Sequence, residues 1–264
     1  MEIKQIRNAT IRVLYAGKTF LIDPWLLEKG RMGCFLDIPN HPFHVPDTAK
    51  EGIPMPMCAL PEPVEEILKG VDYYIVTHIH PDHVDMAPDG TVGGLLDKTV
   101  PVLVQNETDG KVFRASGFEQ VLVLGETAYA CGDVSITRTP ALHGVIEPCG
   151  EACGVLFQAK QEKTLYVAGD TIWTTEIKKT LQTFTPDVVV LNACAAELVG
   201  FGRLIMNDED VEAVARTVPD AQIVISHMDT VAHASITRYT MRGLLAKRGV
   251  EYLMPEDGET LAFN

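Results

Sequence analysis

The chain has 264 residues, 46% hydrophobic and 22% charged, which is globular composition and excludes a disordered, collagenous or disulfide-dense protein. Its 36 acids against 22 bases leave a net charge of −14, which disfavours long nucleic acid as a partner because the phosphate backbone would be repelled. No apolar run approaches the ~20 residues needed to span a bilayer, so no membrane association is expected.

The start, "MEIKQIRNATIRVLYAG", alternates charged and apolar residues without a signal-type apolar core, so no export signal is expected. With six scattered cysteines, this predicts reduced thiols and a cytoplasmic protein. The stretch to "LIDPW" reads as short strands joined by tight turns, with "AGK" as a hairpin signal. Residues 28–63 differ: seven of the 16 prolines fall between Pro39 and Pro63. Such a stretch predicts a functional loop or lid, or else a surface excursion. A short helix at "PVEEILKG" leads into a buried strand, "DYYIVT", and "VPVLV" and "QVLVL" add further strands.

"DVSITRTPALHG" reads as a strand ending near His143, and "GVLFQAK" with "TLYVAGDT" as a hairpin around "QEK". Thereafter helices alternate with strands. "TTEIKKTLQTF" is a helix, "DVVVLNA" a buried strand, and "NDEDVEAVARTV" a helix capped by Asn207 with an apolar stripe of Val211, Val214, Ala215 and Val218. "AQIVISH" is another buried strand. "SITRYTMRGLLAKRG" is a helix stopped by Gly249, and "PEDGETLAF" closes the chain. With no repeat or linker, the pattern predicts one domain spanning residues 1–264.

The chemistry concentrates at "THIHPDH", residues 77–83. In extended chain, residues i and i+2 point the same way, so His78 and His80 project together from the strand end. Pro81 then forces a turn that lets Asp82 and His83 address a second position. One short stretch can therefore give two ligands to each of two ions, and imidazole with carboxylate suits Zn, Mn, Fe, Co or Ni. His143, Asp170 and His227 each follow an apolar strand, and strand ends on one sheet edge are where such proteins gather sites.

These motifs in this order, "THIHPDH", His143, "GDT" at 169–171 and His227, resemble the metallo-β-lactamase superfamily over nearly the whole chain. "LIDPWL", "YVAGDTIW" and "SHMDTVAH" resemble its UlaG-like group, named for L-ascorbate-6-phosphate lactonase. The resemblance implies an α/β fold, a four-layer αββα sandwich with the site at one edge of the packed sheets. It implies that His78, His80 and His143 hold one divalent ion, that Asp82, His83 and His227 hold another, and that Asp170 bridges them. Zn or Mn would be the cofactor. A hydroxide shared by the ions would attack a carbonyl or phosphoryl centre, with Asp82 orienting it or passing a proton. Thr77 or Thr171 would steady the ligands.

Several residues keep two readings. His233 is expected to act in catalysis or substrate binding, or to cap the last long helix. Arg238 would meet an anion or form a surface ion pair. His41 and His44 reach the pocket if the proline-rich loop is a lid and otherwise read as exposed loop histidines. Trp25 and Trp173 read as pocket walls or core, and Asp23 as turn or supporting chemistry and not a ligand. Cys149 and Cys153 read as reduced thiols, not a redox or metal pair. The expected function is hydrolysis of a small, anionic ester or lactone. The alternatives are a phosphodiesterase acting on a cyclic or short nucleotide, and a non-catalytic or iron-type metal module. The expected partner is a small-molecule substrate, and a homo-oligomer is open.

Overall fold

Two β-sheets pack face to face, with helices on both outer faces. A computed structural model describes residues 1–144 and 149–264. The strands are β1 (Glu2–Arg7), β2 (Thr10–Tyr15), β3 (Lys18–Ile22), β4 (Phe43–His44), β5 (Tyr73–Val76), β6 (Val102–Val104), β7 (Val121–Val123) and β8 (Tyr129–Cys131). They continue as β9 (Val134–Pro140), β10 (Cys153–Gln158), β11 (Leu165–Val167), β12 (Val188–Asn192), β13 (Glu197–Leu198), β14 (Gly202–Arg203), β15 (Gln222–Ser226) and β16 (Thr260–Ala262). The α-helices among the described residues are α1 (Val64–Leu68), α2 (Glu107–Ala115), α3 (Thr175–Phe184), α4 (Asp208–Thr217) and α5 (Arg238–Arg248).

The first sheet runs β16-β1-β2-β3-β5-β6-β7 and the second β15-β12-β11-β10-β9-β8. Each is antiparallel at one side and parallel at the other, through β3-β5-β6-β7 and β11-β12-β15. Side chains alternate between faces with the strand period of two. Phe20 and Ile22 point inward to meet Val155, Phe157 and Val190 of the second sheet. Leu21, between them, points outward to a cluster with Ile67 of α1 and Phe113 of α2. On the far side, Leu156, Tyr166, Val189 and Ile223 carry α3, α4 and α5 through Ile177, Val211, Val214 and Met241. The expected αββα layering is therefore present. No helix among the described residues is long and apolar enough to cross a membrane.

The expected caps and stops hold. The Asn207 side chain accepts the N–H groups of Glu209 and Asp210, and Gly249 ends α5 at φ +67. Three local features differ from expectation. Helix α2 has an Asn106 cap and acids in its first turn, but Gly110 interrupts it and few of its residues are apolar, so no helix is expected there from the sequence. That glycine sits where a Cβ would lie 3.3 Å from Val123 Cγ2, so it lets the helix approach the sheet. The last long helix begins at Arg238, with Thr237 as its cap; Ser235 and Ile236 lie outside it. The proline-rich segment is not structureless. β4 pairs with β13, Gly33 bridges Met55, and Phe35, Val45 and Met55 are buried in the second sheet's outer cluster.

Candidate metal centre

The parallel strands of both sheets end at one edge, and the predicted ligands converge there. Asp23 follows β3, the Thr77–His83 loop follows β5, Asp170 follows β11 and His227 follows β15. His143 follows β9 and completes the ring. Asp23 and His227 hold left-handed backbone, at φ +46 and +62, conformations uncommon for such residues and concentrated at functional sites.

The donor atoms form overlapping sets: His78, His80 and His143; His78, His83 and Asp170; Asp82, His83 and His227. His80 Nδ1 lies 3.0 Å from His78 Nε2 and 3.3 Å from His143 Nε2. His227 Nε2 lies 3.3 Å from both His83 Nε2 and Asp82 Oδ2. Between the triads stands Asp170 Oδ2, 3.1 Å from His83 Nε2, 3.7 Å from His143 Nε2 and 3.8 Å from His227 Nε2.

Each histidine is oriented from behind. The Thr77 hydroxyl donates to Asp23 Oδ2 at 2.8 Å, so it accepts the Nδ1–H of His78 at 3.1 Å. The Nε2–H of His80 reaches the Cys149 carbonyl at 2.8 Å, and the Nδ1–H of His143 the Leu204 carbonyl at 3.0 Å. His83 Nδ1 donates to Asp23 Oδ2 at 3.0 Å and His227 Nδ1 faces Cys194 Sγ at 3.6 Å. Asn192 Nδ2 donates to Asp170 Oδ1 at 2.7 Å, which turns Oδ2 inward. With their outer nitrogens so engaged, five imidazoles aim their remaining nitrogens at the same small volume. That arrangement suits cations. The spacing fits as well, since tetrahedral ligands about 2.0–2.1 Å from one ion stand about 3.3 Å apart.

Without an ion the charges are uneven. Burial and neighbouring histidines push His78 well below its usual range and His80 to about 4. Burial also lowers His83, but Asp170 and Asp23 outweigh it and raise this histidine to about 10. His227 is likewise raised, because Asp170, Cys194 and Asp82 overcome its burial. Burial pushes Asp82 and Asp170 up, and the surrounding histidines, His83 and His227 foremost, hold both well below the ordinary carboxylate range. An entering cation must displace the protons held at His83 and His227.

The other predicted residues divide. His233 does not cap α5. Its ring packs 5.0 Å from Phe35 and 5.1 Å from Phe43, and its buried Nδ1 has no partner among the described residues. Burial lowers it to about 4 against the pull of Asp82, so it stands neutral near pH 7. Arg238 is neither an exposed pair nor open to an anion. It is buried and bonded to Asp229 at 3.1 Å, Asp257 at 2.6 Å and the Pro255 carbonyl. Trp25 is core, under the Arg7 guanidinium at 4.9 Å, and Trp173 packs against the same cluster. His41 and His44 are exposed. Thr171 touches no ligand side chain; its hydroxyl accepts the Leu142 N–H beside His143.

Sequence reasoning missed Asn8, Asn192 and Cys194, single residues whose role depends on strands distant in the chain. Asp85 was missed as well: its Oδ1 accepts the N–H groups of Leu26 and Leu27, which pins the segment after Asp23.

The model of the beta-lactamase superfamily domain matches residues 19–228. The chain is 38% identical to UPF0173 protein YddR of Bacillus subtilis over the full length of both. Two solved structures align over 100% of this chain and 99% of theirs, each with a TM-score of 0.88: the isothiocyanate hydrolase from Delia radicum gut bacteria, 37% identical, and a possible metal-dependent hydrolase from Veillonella parvula, 31% identical. The chain belongs to the beta-lactamase superfamily and, within it, to the UPF0173 family of metal-dependent hydrolases.

Proposed function

We propose that this protein is a hydrolase using two divalent ions to add water to a small electrophilic carbon. The observation that carries the reading is Asp170 Oδ2, placed between two complete ligand triads. His78, His80 and His143 would hold one ion, Asp82, His83 and His227 the other, and Asp170 both. Bound there, Zn or Mn would supply a water of lowered pKa and a Lewis acid. The chain's residues do the rest. Asp82, ionised and 3.3 Å from His227 Nε2, orients the attacking water. The His233 ring, buried between Phe35 and Phe43 with Nδ1 unpartnered among the described residues, would offer a neutral hydrogen-bonding group to a substrate that reaches it. Among the described residues, two cavities of modest size reach ligand residues, about 230 Å³ beside His143 and about 390 Å³ beside His78, which favours a small molecule over a polymer.

The full-length similarity to an isothiocyanate hydrolase supports an isothiocyanate as substrate. Water adds across the C=N bond, so the carbon gains the hydroxyl and the nitrogen one proton. Transfer of the hydroxyl proton to nitrogen then accompanies C–N cleavage, which releases an amine and carbonyl sulfide. A lactone or ester, as the UlaG-like motifs suggest, presents the same kind of centre. Arg238 and Arg203 are committed to Asp257 and Asp210, whereas Arg138 lines the cavity beside His143 and could meet an anionic group there.

The test is a substrate panel: an aryl isothiocyanate, sugar-acid lactones with and without phosphate, and phosphodiesters. Zn- and Mn-loaded protein would be assayed, with Asp82→Ala as the blank. Turnover of an isothiocyanate or lactone that is lost in the variant supports the reading. Turnover of phosphodiesters alone moves the protein to the phosphodiesterase alternative, and iron as the resident metal to the iron-type module.

A further inference from the structure

Asn8 belongs to no motif, yet it touches two members of the second triad. It sits in the two-residue turn between β1 and β2 with φ +52 and is fully buried. Its carbonyl accepts the His227 N–H at 3.0 Å and the Ser226 hydroxyl at 3.1 Å. Its Nδ2 lies 3.1 Å from the Asp82 carbonyl, 3.3 Å from Asp82 Oδ2 and 3.2 Å from His227 Nε2.

An amide has two N–H groups, and here three acceptors surround them. When the His227 Nε2 lone pair faces a cation, two donors meet the two Asp82 acceptors and the count balances. Asn8 Oδ1 is buried without a partner among the described residues. A turn residue needs left-handed backbone but not a buried, half-satisfied amide. The side chain therefore has a role the turn does not explain.

We propose that Asn8 is a positioning residue: its amide clamps the Asp82 carboxylate toward His227 and so sets the affinity of the second cation position. This rests on the two-ion reading above. Asn8→Gly is the informative variant, because glycine keeps the left-handed backbone and the carbonyl acceptor while deleting the amide.

The experiment is titration of the metal-stripped protein with Co(II), followed by its visible absorption. The expected result is that the variant binds one ion as the wild type does and the other about 10–100-fold more weakly. Added to Asp82→Ala, the change is expected to produce no further loss, since Asn8 acts through Asp82. Wild-type affinity for both ions in folded Asn8→Gly overturns the proposal alone, as does an undiminished additional loss in the Asp82→Ala background. A wild type that never takes a second ion overturns the two-ion reading and this proposal with it. Should the glycine variant not fold, Asn8→Ser carries the same measurement, since its short side chain cannot span both Asp82 acceptors.

Discussion

Asp23 Oδ2 and His83 Nδ1 meet at 3.0 Å across 60 residues of chain. The same carboxylate accepts the Thr77 N–H at 2.8 Å and the Thr77 hydroxyl at 2.8 Å, and that hydroxyl supports His78. One residue at the end of β3 thus orients a histidine of each triad.

Asp23→Asn is therefore expected to leave a folded protein with metal affinity lowered about 10–100-fold, the usual cost of losing such a partner. Metal content after dialysis against a weak chelator measures it. Affinity equal to the wild type would show that His83 and His78 need no such support.

Asp82→Ala and His80→Ala each remove a member of one triad from a site built on strand ends that the core fixes independently. Both variants are expected to fold and to lose turnover to the level of metal-stripped protein. Circular dichroism and the substrate panel check this together. Full activity in either would remove that residue from the site.

Stability of the metal-stripped protein is expected to peak near neutral pH. Between about pH 4 and 6.5, His80 is neutral when folded and protonated when unfolded, so the unfolded chain binds more protons and stability rises with pH. His83, raised to about 10, behaves in the opposite sense. Its contribution is complete below about pH 6.5 and is lost as pH climbs toward 10. Cation binding removes that proton, so metal affinity should increase over the same window. Melting temperatures from pH 4 to 10, with chelator and with Zn, test both signs.

Much of this site is legible in the chain because its ligands are clustered or follow apolar strands. "THIHPDH" brings four ligand residues within seven positions, and the strands before His143, Asp170 and His227 announce themselves by composition. Asn192 ends an apolar strand and Cys194 follows it, but neither forms a typical ligand pattern there, and Asn8, in a turn, carries no such mark. Each is an ordinary polar or small residue until sheet closure brings it against a ligand from elsewhere. Arg238 misleads for the same reason: its partners Asp229 and Asp257 sit on separate turns, and no helical spacing pairs them. Helix α2 is hard to read because Gly110 interrupts it and only Val112, Phe113 and Ala115 among its residues are apolar.

Gly169 immediately precedes Asp170, at φ +66, and a Cβ there would run into the Cys153 carbonyl. Gly169→Ala combines overpacking with a disfavoured backbone. A loss of about 2–3 kcal/mol is expected, or about 4–12 °C in Tm, together with weaker metal binding. Calorimetry on the stripped and loaded forms separates the two effects.

Arg238→Met tests the structural reading of that residue. Removing one partner from a buried ion pair costs about 3–5 kcal/mol, so Tm should fall while metal stoichiometry stays unchanged. Unchanged Tm with a raised KM for anionic substrates would restore the anion-binding role.

In the proposed arrangement two cation positions share Asp170. Counting Zn or Mn equivalents per chain by elemental analysis, in the wild type and in Asp170→Asn, addresses it most directly. Two tightly held equivalents in the wild type, with at least one lost in the variant, is the predicted result. A single equivalent in the wild type, or two retained by the variant at wild-type affinity, would contradict it.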